Sequence, residues 1–198
     1  MIETQQVLQL ARDVGVIRAK DIISQGIHPS ALQRLEKQGL LIKSARGLYT
    51  HVNANITEQH SLVEAAKRVP KGVICLLSAL SFYELTTQAP FEVWMAISSK
   101  TRRPNDSFLP LRIVYASEAI LYTGVEEHVI EGIPVKVYSV SRTVTNCFKH
   151  RNKLGLDVAL EALRESWRER RCSMDELWKA AKIDRVQNVM RPYLESLE

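Results

Sequence analysis

Apolar positions in the first fifty residues change period twice. Val7, Leu8, Ala11 and Val14 fall near i, i+1, i+4 and i+7, so the spacing predicts an amphipathic helix. Thr4 can cap that helix and Gly15 can end it. Ala19 to Gln25 predicts a second short helix with Ile22 and Ile23 turned inward, and Gly26 permits a sharp turn. His28-Pro29 starts a third helix, with Pro29 suited to its first turn. Leu32 and Leu35 form the buried face of that helix, and Gly39 stops it. The pattern then turns to strands, over Leu40-Leu41-Ile42-Lys43 and Gly47-Leu48-Tyr49-Thr50-His51. Ser44-Ala45-Arg46 makes the tip of this hairpin, with Gly47 free to take a positive φ. The polar stretch Val52 to Thr57 predicts a linker.

Beyond the linker, Leu62, Ala65, Ala66 and Val69 share one helical face, which Pro70-Lys71-Gly72 ends. Val73 to Leu77 is apolar, and Ser78 to Leu85 predicts a helix that Ser78 would N-cap. Phe91 to Ser98 and Leu111 to Ala116 predict strands, separated by the polar, basic loop Lys100 to Pro110. Glu127 to Tyr138 predicts a hairpin around Glu131-Gly132. Val140 to Lys153 and Leu156 to Arg171 predict helices. Ser173-Met174-Asp175-Glu176 has the capping-box form at the next helix start. A last stripe of Val186, Val189, Tyr193, Leu194 and Leu197 is expected to break near Pro192. Helices, then strands, then helices imply an α+β fold. Residues 1–52 have the outline of a winged helix-turn-helix, and 58–198 of a mixed α/β C-terminal domain ending in helices.

Composition adds bounds. A chain of 198 residues suits one or two domains with a real core, and 45% apolar residues is ordinary for a globular protein. No apolar run approaches the roughly 20 residues of a membrane helix. The start Met1-Ile2-Glu3-Thr4-Gln5 lacks the basic and apolar regions of a secretory signal, so a cytoplasmic location is expected. Cys75, Cys147 and Cys172 lack metal or redox spacing and suit small buried hydrophobes in a reducing compartment. The net charge of +5 mildly favours a polyanionic partner. Its distribution says more: residues 18 to 51 hold Arg18, Lys20, Arg34, Lys37, Lys43 and Arg46 against Asp21 and Glu36.

A DNA-reading helix must bury one face and present polar side chains to the major groove. Ser30, Gln33, Arg34 and Lys37 lie off the Leu32/Leu35 face, and His28 sits at the helix entrance. Arg34 suits bidentate pairing with guanine and Gln33 with adenine. Lys43, Ser44 and Arg46 at the hairpin tip would reach phosphates or a minor groove. Two further basic segments, Lys100, Arg102 and Arg103, and Arg142, Lys149, His150, Arg151 and Lys153, are either solvated surface or a contact surface for nucleic acid or an acidic partner. Trp167 and Trp178 lie on apolar stripes and are expected to anchor the core rather than stack on bases.

Signals for catalysis are sparse. The histidines His28, His51, His60, His128 and His150 are scattered, without zinc spacing. No phosphate-binding G-x-x-x-x-G-K-[ST] loop and no G-x-G-x-x-G occurs, so neither metal nor cofactor is expected. No Asp-x-Lys or Glu-x-Lys triplet supports the common metal-dependent nuclease arrangement. Ser78, Ser81 and Ser141 lack the surroundings of a nucleophile elbow. A nucleic-acid-processing enzyme delivered by the winged element stays open as an alternative.

Four ordered segments resemble the AbiEi-type antitoxins of bacterial abortive-infection loci. They are R-G-L-Y-T (46 to 50), G-V-I-C-L-L-S-A-L-S-F-Y-E-L-T (72 to 86), I-P-V-K-V-Y-S-V-S-R-T-V (133 to 144) and C-F-K-H-R-N-K-L-G-L-D-V-A-L-E-A-L (147 to 163). The family commonly has Asp just before the Cys-Phe-Lys segment, whereas this chain has Asn146. The resemblance implies a non-enzymatic repressor that binds inverted repeats in its own promoter, with two copies meeting on the DNA. It also implies a C-terminal domain that neutralises a cognate nucleotidyltransferase toxin. In the type IV arrangement no stable toxin complex forms; a module that holds the toxin directly is the other form.

Overall fold

The periodicities above become elements wherever an apolar stripe finds a second surface to cover it. The computed structural model describes residues 2–45, 47–54, 56–104 and 109–197. It divides into two compact units. The first is Met1–Lys71 with Pro104–Pro110 and His128–Val135; the second is Gly72–Arg103, Leu111–Glu127 and Lys136–Glu198. The architecture is α+β, with helices and two separate sheets.

In the first unit, α1 (Ile2–Val14), β1 (Val16–Arg18), α2 (Ala19–Ile23), α3 (Ser30–Lys37), β2 (Leu41–Ala45), β3 (Leu48–His51) and α4 (His60–Arg68) follow in chain order. The three strands form an antiparallel sheet in the order β1-β3-β2. Val7, Ala11, Ile17, Ile22, Ile27, Leu32, Leu35, Leu41 and Tyr49 close one core between the helices and this sheet. Strand β1 is absent from the sequence-based expectation. Its three residues are too few to show a period, and pairing with β3 (Val16↔Thr50, Arg18↔Leu48) is what makes them a strand. Gly26 and Gly39 take φ of +77° and +69°. Each closes its helix by donating to the carbonyl three residues back, Gly26 to Ile23 and Gly39 to Glu36, while the following residue reaches the carbonyl five residues back.

Helix α4 is fastened to the N-terminal elements. Arg18 Nη1 donates to the Lys67 carbonyl at 3.1 Å, and Lys67 Nζ lies 3.5 Å from Asp21 Oδ2. Asp21 also accepts from the Arg18 backbone N–H and pairs with its guanidinium at 2.8 Å. Burial raises the Asp21 carboxyl, but the Arg18 hydrogen bonds and the charges of Lys67 and Arg18 outweigh it, so its pKa falls below the ordinary value. At the other side, Glu131 Oε1 accepts from the Thr57 N–H at 2.7 Å and from its hydroxyl at 2.9 Å. His60 Nδ1 donates to Glu131 Oε2 at 2.8 Å.

The second sheet comprises β4 (Val73–Ile74), β5 (Val93–Ser98), β6 (Leu111–Ala116), β7 (Val125–Ile130) and β8 (Ile133–Tyr138), in the order β6-β5-β4-β8-β7. Strand β5 runs antiparallel to β4 and parallel to β6, and all six of its residues are buried. Its helices are α5 (Leu76–Phe82), α6 (Glu118–Leu121), α7 (Val140–Lys149), α8 (Arg151–Leu154), α9 (Leu156–Arg168), α10 (Met174–Asp184) and α11 (Gln187–Glu195). Helix α7 packs against α5, α9 and α10. The capping box is present: Ser173 Oγ accepts from the Glu176 N–H, and Glu176 Oε2 accepts from the Ser173 N–H at 2.7 Å.

Three expectations are corrected. Ser78 is not a cap: it lies inside α5, where its buried hydroxyl accepts from the Trp94 N–H at 2.9 Å and ties the helix to β5. The helix expected over Val140 to Lys153 divides at His150 into α7 and α8. Helix α11 runs through Pro192 rather than breaking there. Pro192 deletes one backbone donor, but Met190 and Leu194 on either side are fully buried and hold the turn.

Candidate nucleic-acid interface

Helix α3 has a strongly two-sided sequence. Ala31, Leu32 and Leu35 are buried in the core of the first unit. Ser30, Gln33, Arg34 and Lys37 are all exposed. Their spacing of i, i+3, i+4 and i+7 aligns them on one ridge opposite the buried stripe. The fold therefore brings four of the sequence-derived candidates onto one surface. Among the described residues, neither Arg34, Lys37 nor Lys43 forms an ion pair, so each guanidinium or ammonium is available to an incoming anion. Arg18, by contrast, is committed to Asp21 and Lys67.

His28 stands exposed at the entrance to α3. Its Nδ1 lies 3.2 Å from the Ser30 backbone N–H and 2.8 Å from Ser30 Oγ. A ring nitrogen that accepts from a backbone N–H carries no proton, so the remaining N–H of the neutral ring is on Nε2 and is free to donate. Pro29 flanks the helix as its N-cap rather than lying in its first turn.

The β2–β3 hairpin follows α3 directly, and the ladder is irregular between Lys43 and Ala45. That irregularity is a bulge: Lys43 faces Tyr49 and Ala45 faces Leu48, leaving Ser44 as the extra residue. Lys43 is exposed. Ser44 differs from expectation, because its hydroxyl is turned away from solvent and has no hydrogen-bond partner among the described residues. Arg46 lies outside the described residues. Sequence reasoning missed Ile42, an apolar side chain 53% exposed beside Lys43. Only its placement one residue out of phase with buried Leu41 signalled it.

The basic residues of the second unit do not form one set. Arg142 must leave the candidate contact surface, because it is 1% exposed and pairs with Asp184 beneath α7. Thr145 Oγ1 donates to Asp184 Oδ2 at 3.0 Å, and Lys149 Nζ reaches Oδ1 at 3.2 Å. The Asn146 amide lies 3.5 Å from the same oxygen. The position that commonly carries an acid in the resembling family is thus buried in this network and not at a surface. Arg151 donates to the Phe148 carbonyl at 2.9 Å, and Lys100 pairs with Glu118 at 3.0 Å. Lys100, Arg102, Arg103, Lys149 and Lys153 are exposed, and Arg151 is half-buried. His150 between them is held below its ordinary pKa, first by burial and then by Lys149 and Lys153.

Cys75, Cys147 and Cys172 are buried and free, as the sequence suggested. Burial pushes the Cys147 and Cys75 thiols well up, which keeps them protonated and unreactive. Trp167 and Trp178 are half-buried, not enclosed. No helix among the described residues is long and apolar enough to cross a membrane.

Residues 5–50 match the sequence profile of a family described as "Transcriptional regulator, AbiEi antitoxin". No curated relative matches the chain. Among solved structures, the crystal structure of the RV2827C protein from Mycobacterium tuberculosis is similar, with a TM-score of 0.64 at 15% identity. The superposition covers 92% of this chain and 72% of that one. At that identity the likeness is one of fold.

Proposed function

With residues 5–50 carrying the AbiEi antitoxin transcriptional-regulator pattern, we propose that this protein is a DNA-binding autorepressor whose first unit acts as a winged helix-turn-helix. Helix α3 is the recognition helix and the β2–β3 hairpin is the wing. The single observation that carries this reading is the ridge of Ser30, Gln33, Arg34 and Lys37, exposed over a buried Ala31/Leu32/Leu35 face, with Arg34 and Lys37 in no ion pair among the described residues. Arg34 and Gln33 read base edges, His28 and Ser30 meet the backbone at the helix entrance, and Lys37 and Lys43 neutralise phosphates. Arg46, three residues after Lys43 in the sequence, adds another basic residue to this segment.

The C-terminal part, over 58–198, then serves as the antitoxin domain against a nucleotidyltransferase toxin encoded beside it. The similarity to AbiEi regulators supports this role through the N-terminal segment only. Lys100, Arg102, Arg103, Lys149 and Lys153 supply its basic exposed character, with half-buried Arg151 beside them in the sequence. Two copies on an inverted repeat are the expected stoichiometry, since each half-site takes one recognition helix.

Gel shift on the DNA upstream of the protein's own reading frame tests the proposal. Arg34→Ala is expected to cost about 1 to 3 kcal/mol and to relax discrimination at one base position. Lys43→Ala is expected to weaken all sequences alike and to reduce the salt slope by about 1. Wild-type affinity in both variants would remove α3 and the wing from the interface. Growth rescue on co-expression with the neighbouring nucleotidyltransferase tests the antitoxin role, and failure to rescue ends it.

A further inference from the structure

The junction of α9 and α10 forms an open pocket of about 660 Å³ in the second unit, lined by Trp167, Arg170, Arg171, Cys172, Met174 and the Ser173/Glu176 cap. A void of this size lies within the roughly 300–1,000 Å³ typical of small-ligand sites. We propose that it is a binding site for a nucleotide, with the base against Trp167 and the phosphates against Arg170 and Arg171. The site is separate from the α3 ridge and does not depend on the DNA-binding reading.

The chemistry of the lining restricts the ligand. Trp167 is half-buried, so part of its indole borders the cavity instead of disappearing into the core. A flat π-surface beside guanidinium groups suits a ring that carries an anion. Glu176 is the carboxylate on the wall, and its Oε2 is taken up by the Ser173 N–H at 2.7 Å and hydroxyl at 2.8 Å. Those hydrogen bonds hold its pKa below the ordinary value. The same cap uses the donor end of α10, so an anion must be held by the arginines. Arg171 is shared with Glu169 at 3.5 Å, whereas Arg170 forms no ion pair among the described residues.

Backbone geometry fixes where Arg170 stands. It occupies the left-handed region at φ +53°, at the residue that closes α9. Its N–H donates to the Trp167 carbonyl at 3.0 Å and the Arg171 N–H to the Ser166 carbonyl at 2.9 Å. This is the reverse turn in which glycine is the usual occupant. It ties the backbone of Arg170 to that of Trp167, so the cation and the ring leave the same turn.

Calorimetric titration of the full-length protein with ATP, adenosine and inorganic phosphate tests the site, using Trp167→Phe, Trp167→Ala and Arg170→Gly variants. Glycine fits the left-handed backbone, so Arg170→Gly removes the guanidinium without breaking the turn, and its folding is checked by thermal melting. The expected result is saturable ATP binding, weakened about tenfold or more by Trp167→Ala but not by Trp167→Phe. Arg170→Gly should weaken ATP about tenfold while leaving adenosine unchanged. Absence of ATP binding at millimolar concentration overturns the proposal. So does binding that persists in Trp167→Ala and Arg170→Gly but disappears in Arg34→Ala, because the nucleotide would then occupy the α3 ridge.

Discussion

Asp184 is 3% exposed and gathers Arg142, Thr145, Asn146 and Lys149 around one carboxylate. A buried charge of this kind is stabilising only while its partner remains. Asp184→Asn would leave the Arg142 guanidinium buried without a counter-charge, and should cost about 3 to 5 kcal/mol in urea unfolding. Little change in unfolding would mean that water already reaches Arg142. Glu131 gives a pH-dependent counterpart. Burial raises its carboxyl, but the Thr57 and His60 hydrogen bonds outweigh it and hold the folded pKa below 4.5, its ordinary value. A depressed carboxylate stabilises the fold fully above its unfolded pKa and loses that contribution as pH falls through the folded pKa. Wild type should therefore exceed Glu131→Gln in stability at neutral pH, and the difference should vanish as pH drops below 4.5. A gap that persists at lower pH would assign the contribution to packing instead of charge.

At the level of elements, most helices and strands were legible because their signals are local. Apolar residues at helical spacing mark α1, α3, α4 and α9, and Ser173 with Glu176 marks the start of α10. The Glu131-Gly132 turn sits where expected, with both residues at positive φ (51° and 75°). The helix ends were less legible. Glycine announces the ends of α2 and α3, but Arg185 closes α10 in the left-handed region at φ +58°, where sequence offers no such sign. Its N–H bonds to the Lys182 carbonyl and the Val186 N–H to the Ala181 carbonyl, so the turn is held by its hydrogen bonds and by buried Val186. Arg185→Gly should relieve that backbone and raise stability by about 1 kcal/mol. A loss on thermal or urea unfolding would show that the arginine side chain contributes more than its backbone costs.

The chain divides into two compact units, and the proposed DNA role belongs to the first of them, which holds the three-stranded sheet. Sedimentation of the protein with its upstream DNA should give two chains per inverted repeat, and one chain per repeat would count against paired half-sites. The sequence by itself determined the α+β class, the three helices and the β2–β3 hairpin of the first fifty residues, and the exposed ridge of α3. Each of these follows from spacing along one segment, and a helix with a buried Leu32/Leu35 stripe has only one remaining face for Arg34 and Lys37. Only the tertiary structure decided that β1 is a strand, that α4 is fastened to Arg18 and Asp21, and that Ser78 is a tie to β5. It likewise buried Arg142 against Asp184 while leaving Lys153 in solvent, although both looked alike as basic residues in a helical stretch. The physical reason is reach. Periodicity reports which side of a helix a residue occupies, whereas its burial depends on what packs there, and in α7 the partner arrives from α10, with Thr145 and Asp184 39 residues apart.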